Sequence, residues 1–169
     1  MIGKSSADPS YSSYVIYIYG GLITASSTNG VDIGNSLNYS LAPIPGYHIA
    51  FTREEGGTQT LYVNGVAVDS DTANSIAYAN TPLILGHDTG GSIHGKIDEV
   101  SIYDRAMSAA EVQSIVTAGG AGKCPQGPCV SAPSDLQSWY RFQNNADDVF
   151  GLHTGAAQGG ATYVPGRVG

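Results

Sequence analysis

Thr60-Leu-Tyr-Val-Asn-Gly-Val-Ala-Val68, followed by His94-Gly-Lys-Ile-Asp-Glu-Val-Ser-Ile-Tyr103 and Asp104-Arg-Ala-Met-Ser-Ala-Ala-Glu-Val112, decides the reading of this chain. Asn64-Gly65 separates two alternating apolar runs, and both central residues of a type I′ turn need positive φ, so a tight hairpin is expected there. Upstream, Tyr47-His-Ile-Ala-Phe-Thr52 alternates with the period of a half-buried strand. Pro82-Leu-Ile-Leu-Gly86 reads as a short buried strand, and 94–103 as a longer alternating one. Ser108 and Glu111 stand at capping-box spacing, which predicts one short helix near 108–117.

In this order, from His48 to Glu111, the pieces resemble the C-terminal half of a laminin-G-like domain of the concanavalin A-like lectin/glucanase superfamily. Met107 stands where that family usually has Leu. The resemblance implies an all-β, antiparallel two-sheet jelly-roll sandwich, typically on a secreted protein, so an extracellular or cell-surface location is expected.

Composition points the same way. Only 12% of the 169 residues are charged while Gly (23) and Tyr (11) are abundant, which suits a turn-rich β protein better than a helical one. The formal charge of −7 argues against nucleic acid, whose phosphates require a basic face. No apolar run approaches the ~20 residues needed to cross a bilayer, so membrane insertion is not expected. Met1-Ile-Gly-Lys-Ser-Ser6 lacks the apolar core of a signal peptide.

The organisation is unusual. Gly119 to Pro133, dense in Gly and Pro, reads as a linker. A new pattern then opens with Leu136-Gln-Ser-Trp-Tyr-Arg-Phe142 and ends with Gly159-Gly-Ala-Thr-Tyr-Val-Pro-Gly-Arg-Val-Gly169. That pattern is similar to the opening strands of a laminin-G-like domain. Tyr14-Val-Ile-Tyr-Ile-Tyr19 and Gly20-Gly-Leu-Ile-Thr24 are similar to its mid-domain strands. The expected division is therefore 1–118 as the C-terminal part of one domain, 119–133 as linker and 134–169 as the N-terminal part of the next. Either the chain is a piece of a tandem array, or it is a permuted unit whose front pairs with its own or a neighbour's back. Because each half lacks its complementary strands, residues 134–169 are expected to pair with a 1–118 region, in cis or by exchange between chains.

Cys124 and Cys129 flank Pro-Gln-Gly-Pro. A turn there could bring their Cα atoms within the ~4.4–6.8 Å of a disulfide; free thiols or a metal site are the rival readings. For catalysis, a glycosidase needs two carboxylates about 5–5.5 Å apart. The chain has no Glu-x-Asp-x-x-Glu run, Glu54-Glu55 and Asp98-Glu99 are adjacent pairs, and the four His residues lack metal-binding spacing. A non-enzyme is expected.

The resemblance also implies a structural Ca²⁺, with Asp98 at the family position whose carboxylate often binds the ion. Asn144, Asp147 and Asp148 lie in the opening turn that would approach it. The competing reading makes Asp98 a turn cap and 144–148 a solvated loop. Tyr17 and Tyr19 share a strand face opposite Ile16 and Ile18, which makes them candidates for ligand binding if the isoleucines face the core. Ordinary strand packing is the favoured explanation of the tyrosines, and Trp139 reads as core. The function expected is a non-catalytic extracellular module for adhesion or carbohydrate recognition, its partner a glycan or an extracellular protein. The alternative is a structural spacer that self-associates by exchanging strands with neighbouring copies.

Overall fold

The computed structural model describes residues 2–4, 14–27, 35–73, 75–76, 81–88, 91–124 and 129–168. Tyr11, Tyr78 and most of the N-terminal hexapeptide lie outside these residues. The chain forms two compact units, residues 1–94 and 95–169.

Among its described residues the first unit contains ten strands: β1 Ile2–Lys4, β2 Tyr14–Tyr19, β3 Leu22–Ser27, β4 Leu37–Ser40, β5 Ile49–Arg53, β6 Thr58–Val63, β7 Val66–Thr72, β8 Ile84–Leu85, β9 His87–Asp88 and β10 Gly91–Ser92. They form a five-stranded sheet in the order β4-β3-β2-β1-β8, a three-stranded sheet β5-β6-β7 and a short β9-β10 pair, all antiparallel. The expected hairpin is present, with Asn64 at φ 50° and Gly65 at φ 84° between β6 and β7. A second two-residue turn, Gly20-Gly21 at φ 57° and 80°, joins β2 to β3 by the same logic.

Ile23, Ala25 and Leu37 of the larger sheet meet Leu61 and Val63 of the smaller, with Ile16, Ile49, Phe51 and Val68 packed around them. Register explains the selection. Ile16 pairs with Ala25 and Ala25 with Leu37, while Ile49 pairs with Val63 and Phe51 with Leu61, so each sheet presents one apolar face. Complete burial of Ile23 and Leu61 contributes about 1.5–3 kcal/mol apiece. Gln59 is fully buried beside them because its amide is satisfied. Ser27 Oγ–H donates to Gln59 Oε1 at 3.1 Å, and Gln59 Nε2–H donates to the Asn35 carbonyl at 2.6 Å.

Among its described residues the second unit contains β11 Val100–Tyr103, α1 Ala109–Ala118, a 3-10 turn at Gly119–Ala121, β12 Lys123–Cys124, β13 Val130–Ser131 and β14 Leu136–Tyr140. Ser108 caps α1 in a complete capping box: its hydroxyl accepts from Glu111 N–H, and Glu111 Oε2 accepts from Ser108 N–H at 2.8 Å. The sandwich of antiparallel strands with one short helix is the fold class expected.

Three local expectations need correction. The strand expected over 94–103 is confined to 100–103, because Glu99 adopts φ 54° and breaks the alternation. The 82–86 strand shrinks to Ile84–Leu85. The linker carries a short parallel pair, with Lys123 opposite Val130 and Cys124 opposite Ser131. The boundary between the compact units falls at 94/95. β14 pairs antiparallel with β11, placing Val100 opposite Tyr140 and Ser101 opposite Trp139, so β11 and α1 group with the C-terminal segment. The expected β pairing of 134–169 with the 1–118 region is thus made within one chain.

Candidate functional site

Two places gather candidate side chains: the Tyr17/Tyr19 face of the β2-β3 hairpin in the first unit, and the surroundings of Trp139 in the second.

On the hairpin, Tyr17 pairs with Thr24 and Tyr19 with Leu22. Tyr17, Tyr19, Leu22 and Thr24 therefore share the face opposite Ile16, which packs on the core. Tyr19 is 84% exposed and Tyr17 and Leu22 are each 39% exposed, giving an aromatic strip open to solvent beside Gly20-Gly21. The expectation about the isoleucines holds for Ile16 and fails for Ile18, which is 46% exposed. Ile18 lies at the hairpin end of the strand, paired with Ile23, two residues beyond Ile16.

In the second unit, the left-handed turn at Glu99 sends neighbouring carboxylates to different partners. Asp98 Oδ2 accepts from the backbone N–H of Arg167 at 2.7 Å and of Val168 at 3.1 Å. A Cβ at Gly166 would lie 2.5 Å from Asp98 Oδ2, so a larger residue there would displace the Asp98 carboxylate. Glu99 Oε2 accepts from Trp139 Nε1–H at 2.7 Å and from Lys123 Nζ at 3.5 Å. Lys123 Nζ and the Arg141 guanidinium both stand over the indole, 5.2 and 5.6 Å from its centroid. Arg141 Nε and Glu99 Oε1 are 3.8 Å apart, and both atoms are buried without a hydrogen bond. Burial pushes the Lys123 ammonium below its ordinary range, against the pull of Glu99 and Asp98.

A third network holds the start of α1. Arg105 makes a two-pronged ion pair with Glu111 at 2.6 and 3.0 Å and reaches Asp135 Oδ2 at 3.2 Å and Ser134 Oγ at 3.0 Å. The Arg105 guanidinium and the Ser108 donors lower the Glu111 carboxyl to about 2. Burial raises the Tyr103 phenol to about 12.

Asp148 is buried and accepts from the amides of Trp139 at 2.9 Å, Phe150 at 3.3 Å and Leu152 at 3.3 Å. Its burial opposes ionisation, but those amides together with that of His153 outweigh it and hold the carboxyl below its usual range. Ser138, His153 and Asp148 are the residue types of a hydrolytic triad, and they meet here. A triad needs the serine on one ring nitrogen and the carboxylate on the other. Ser138 Oγ lies 2.8 Å and Asp148 Oδ2 3.7 Å from the same nitrogen, His153 Nδ1. The carboxylate is therefore not on the far ring nitrogen, so the arrangement differs from that of a triad, and Ser138 is only 4% exposed.

Asp98, Asn144, Asp147 and Asp148 are the residues expected around calcium. Among the described residues no three His, Cys, Asp or Glu converge as a metal-holding group. Asn144 and Asp147 are exposed, and the chain's own amides occupy Asp98 Oδ2 and both oxygens of Asp148. Cys129 is disulfide-bonded; the Cys124 side chain lies outside the described residues. Glu54 and Glu55 sit in the turn between β5 and β6. The roles of Glu99, Lys123 and Arg141 around Trp139 went unread in the sequence, since positions 99, 123, 139 and 141 carry no motif spacing.

Residues 5–113 match the laminin-G-like family within the concanavalin A-like lectin/glucanases superfamily. The chain belongs to this family. A comparison with curated proteins gives no match. Among solved structures the chain is similar to a 2.1 Å crystal structure of an S-layer domain-containing protein (residues 221–444) from Clostridium thermocellum ATCC 27405. Identity is 27%, over 57% of this chain and 52% of that one, with a TM-score of 0.40. The chain thus spans about half the length of that structure. Among the described residues no helix is long and apolar enough to cross a membrane.

Proposed function

We propose that the chain is a non-catalytic recognition module working outside the cell or at its surface, and that it binds a carbohydrate or a surface protein through the β2-β3 hairpin face. The observation that carries this reading is the exposed strip of Tyr17, Tyr19 and Leu22. A tyrosine offers a flat apolar ring for a sugar's CH face and a hydroxyl for its oxygens. A strip on a rigid hairpin loses little conformational freedom on binding. The family membership supports the class, and the ligand is inferred from the chemistry of the face.

The non-catalytic half of the proposal rests on how the acidic groups are used. Asp98, Glu99, Glu111 and Asp148 are all committed to backbone amides or to cations of the same unit. Glycan-array binding by the purified chain, compared with Tyr17→Ala and Tyr19→Ala, tests the reading. Loss of signal in both variants with unchanged melting is expected. Retained binding would move the site off the hairpin, and turnover of any polysaccharide would refute the non-enzymatic assignment.

A further inference from the structure

We propose that the ligand of the β2-β3 face is an uncharged oligosaccharide, held along β2 by Tyr17 and Tyr19 and on the β4 side by Asn38. The inference rests on the hairpin reading above and adds the chemical class of the ligand.

Charge decides the class. Residues 14–27 and 36–47 contain no Asp, Glu, Lys or Arg, although the chain carries a formal charge of −7. Within residues 1–94, two cations, Lys4 and Arg53, stand against seven carboxylates. Lys4 pairs with Tyr14, roughly 17 Å of strand from Tyr19 and beyond a Debye length at physiological salt. Arg53 ends β5, in the other sheet. A uronate, sialate or sulfate laid on the strip would therefore lose hydration with neither cation placed to replace it. The charge that does reach the strip is negative. Asp69 Oδ2 accepts from the Asn38 backbone N–H at 2.8 Å, and Oδ1 from the Ser70 N–H at 2.9 Å. This fixed carboxylate repels an anion, and alone it is a poor counterpart for a strongly basic partner.

The polar groups of the strip suit hydroxyls. Register aligns Tyr17 with Thr24 and Asn38, and Tyr19 with Leu22 and Ser40, in two rows across three strands. Tyr17 and Tyr19 stand about 6.8 Å apart along β2, so each ring can take one of two successive sugar units. Asn38 is exposed, and its carboxamide is already oriented. Its Oδ1 accepts from the buried Thr24 hydroxyl at 2.8 Å, and its Nδ2–H donates to the Ser36 carbonyl at 2.9 Å. The second Nδ2–H and the remaining Oδ1 lone pair can meet a sugar hydroxyl as donor and acceptor. Little rotamer freedom is left to lose on binding.

The test is a glycan array probed with the full chain at low and high salt, with uncharged oligosaccharides beside uronate, sialylated and sulfated ones. Binding confined to uncharged members of two or more units is expected, unchanged between ~0.05 and ~0.5 M salt. Tyr19→Ala should weaken it about tenfold. Asn38→Asp, which keeps the acceptor for Thr24 and removes the donors, should weaken it about fivefold or more. Asp69→Asn, which keeps an acceptor for the Asn38 N–H, should change it by less than about twofold. Binding of anionic members, lost in Tyr19→Ala, would overturn the uncharged class and leave the hairpin reading standing. Binding of uncharged members untouched by Tyr17→Ala and Tyr19→Ala would overturn the hairpin reading itself. Capture of a surface protein through the tyrosines, with no glycan bound, would overturn this inference alone.

Discussion

Trp139 Nε1–H donates to Glu99 Oε2 at 2.7 Å, and the same oxygen receives the Lys123 ammonium at 3.5 Å. One carboxylate therefore fastens the tryptophan strand and the linker lysine together in the second unit. Glu99 and Lys123 are nearly inaccessible, with side chains 11% and 4% exposed. Removing one partner of such a pair leaves the other buried and uncompensated. Glu99→Gln is expected to destabilise the unit by about 3–5 kcal/mol. Combining it with Lys123→Met should recover most of the loss, since the buried charge goes with its partner. Urea unfolding followed by Trp139 emission reads both variants; equal instability of single and double variants would show that the pair is not what matters.

Asp98 tests the calcium expectation against the cap that its geometry describes. Asp98→Ala is expected to cost about 1.5–3 kcal/mol in chelator, because the amides of Arg167 and Val168 lose a charged acceptor. Asp98→Asn, which keeps an acceptor oxygen, should cost less. A wild-type melting point raised by Ca²⁺, with the rise abolished in Asp98→Asn, would establish an ion at this carboxylate.

Acid stability should depend on Glu111. Its folded value near 2 lies below the ordinary 4.5, so its contribution is fully present above about 4.5 and is lost as pH falls toward 2. Asp148, also held low, loses its contribution in the same direction. Thermal midpoints of wild type and Glu111→Gln should converge as pH drops through that window. A constant gap between the two curves would contradict the ion pair with Arg105.

Gln59 is the polar tie inside the sandwich. Gln59→Ala should cost about 2–4 kcal/mol, from the cavity together with the unpaired Ser27 hydroxyl and Asn35 carbonyl. Gln59→Leu fills the space but leaves both polar groups unpaired, so it should recover only part of that loss. Chemical denaturation of the two variants separates the contributions.

The sandwich, the Asn64-Gly65 turn, the Ser108/Glu111 cap and the burial of Trp139 were legible in the sequence. Each rests on a local rule: a period of two, a positive φ that Asn and Gly tolerate, a three-residue spacing. What the tertiary structure alone decided lies between distant positions. The turn at Glu99 overrode the alternation from His94 to Tyr103, and in it Glu99 seats Trp139 and Lys123 while Asp98 caps Arg167 and Val168. Asp148 was legible as an acidic turn residue, but its burial under three amides follows from the return of 148–152 beside β14, which no periodicity records. The pairing of β14 with β11 joins residues about forty positions apart, and their proximity follows from which edges and charges remain to be satisfied once the local elements have formed.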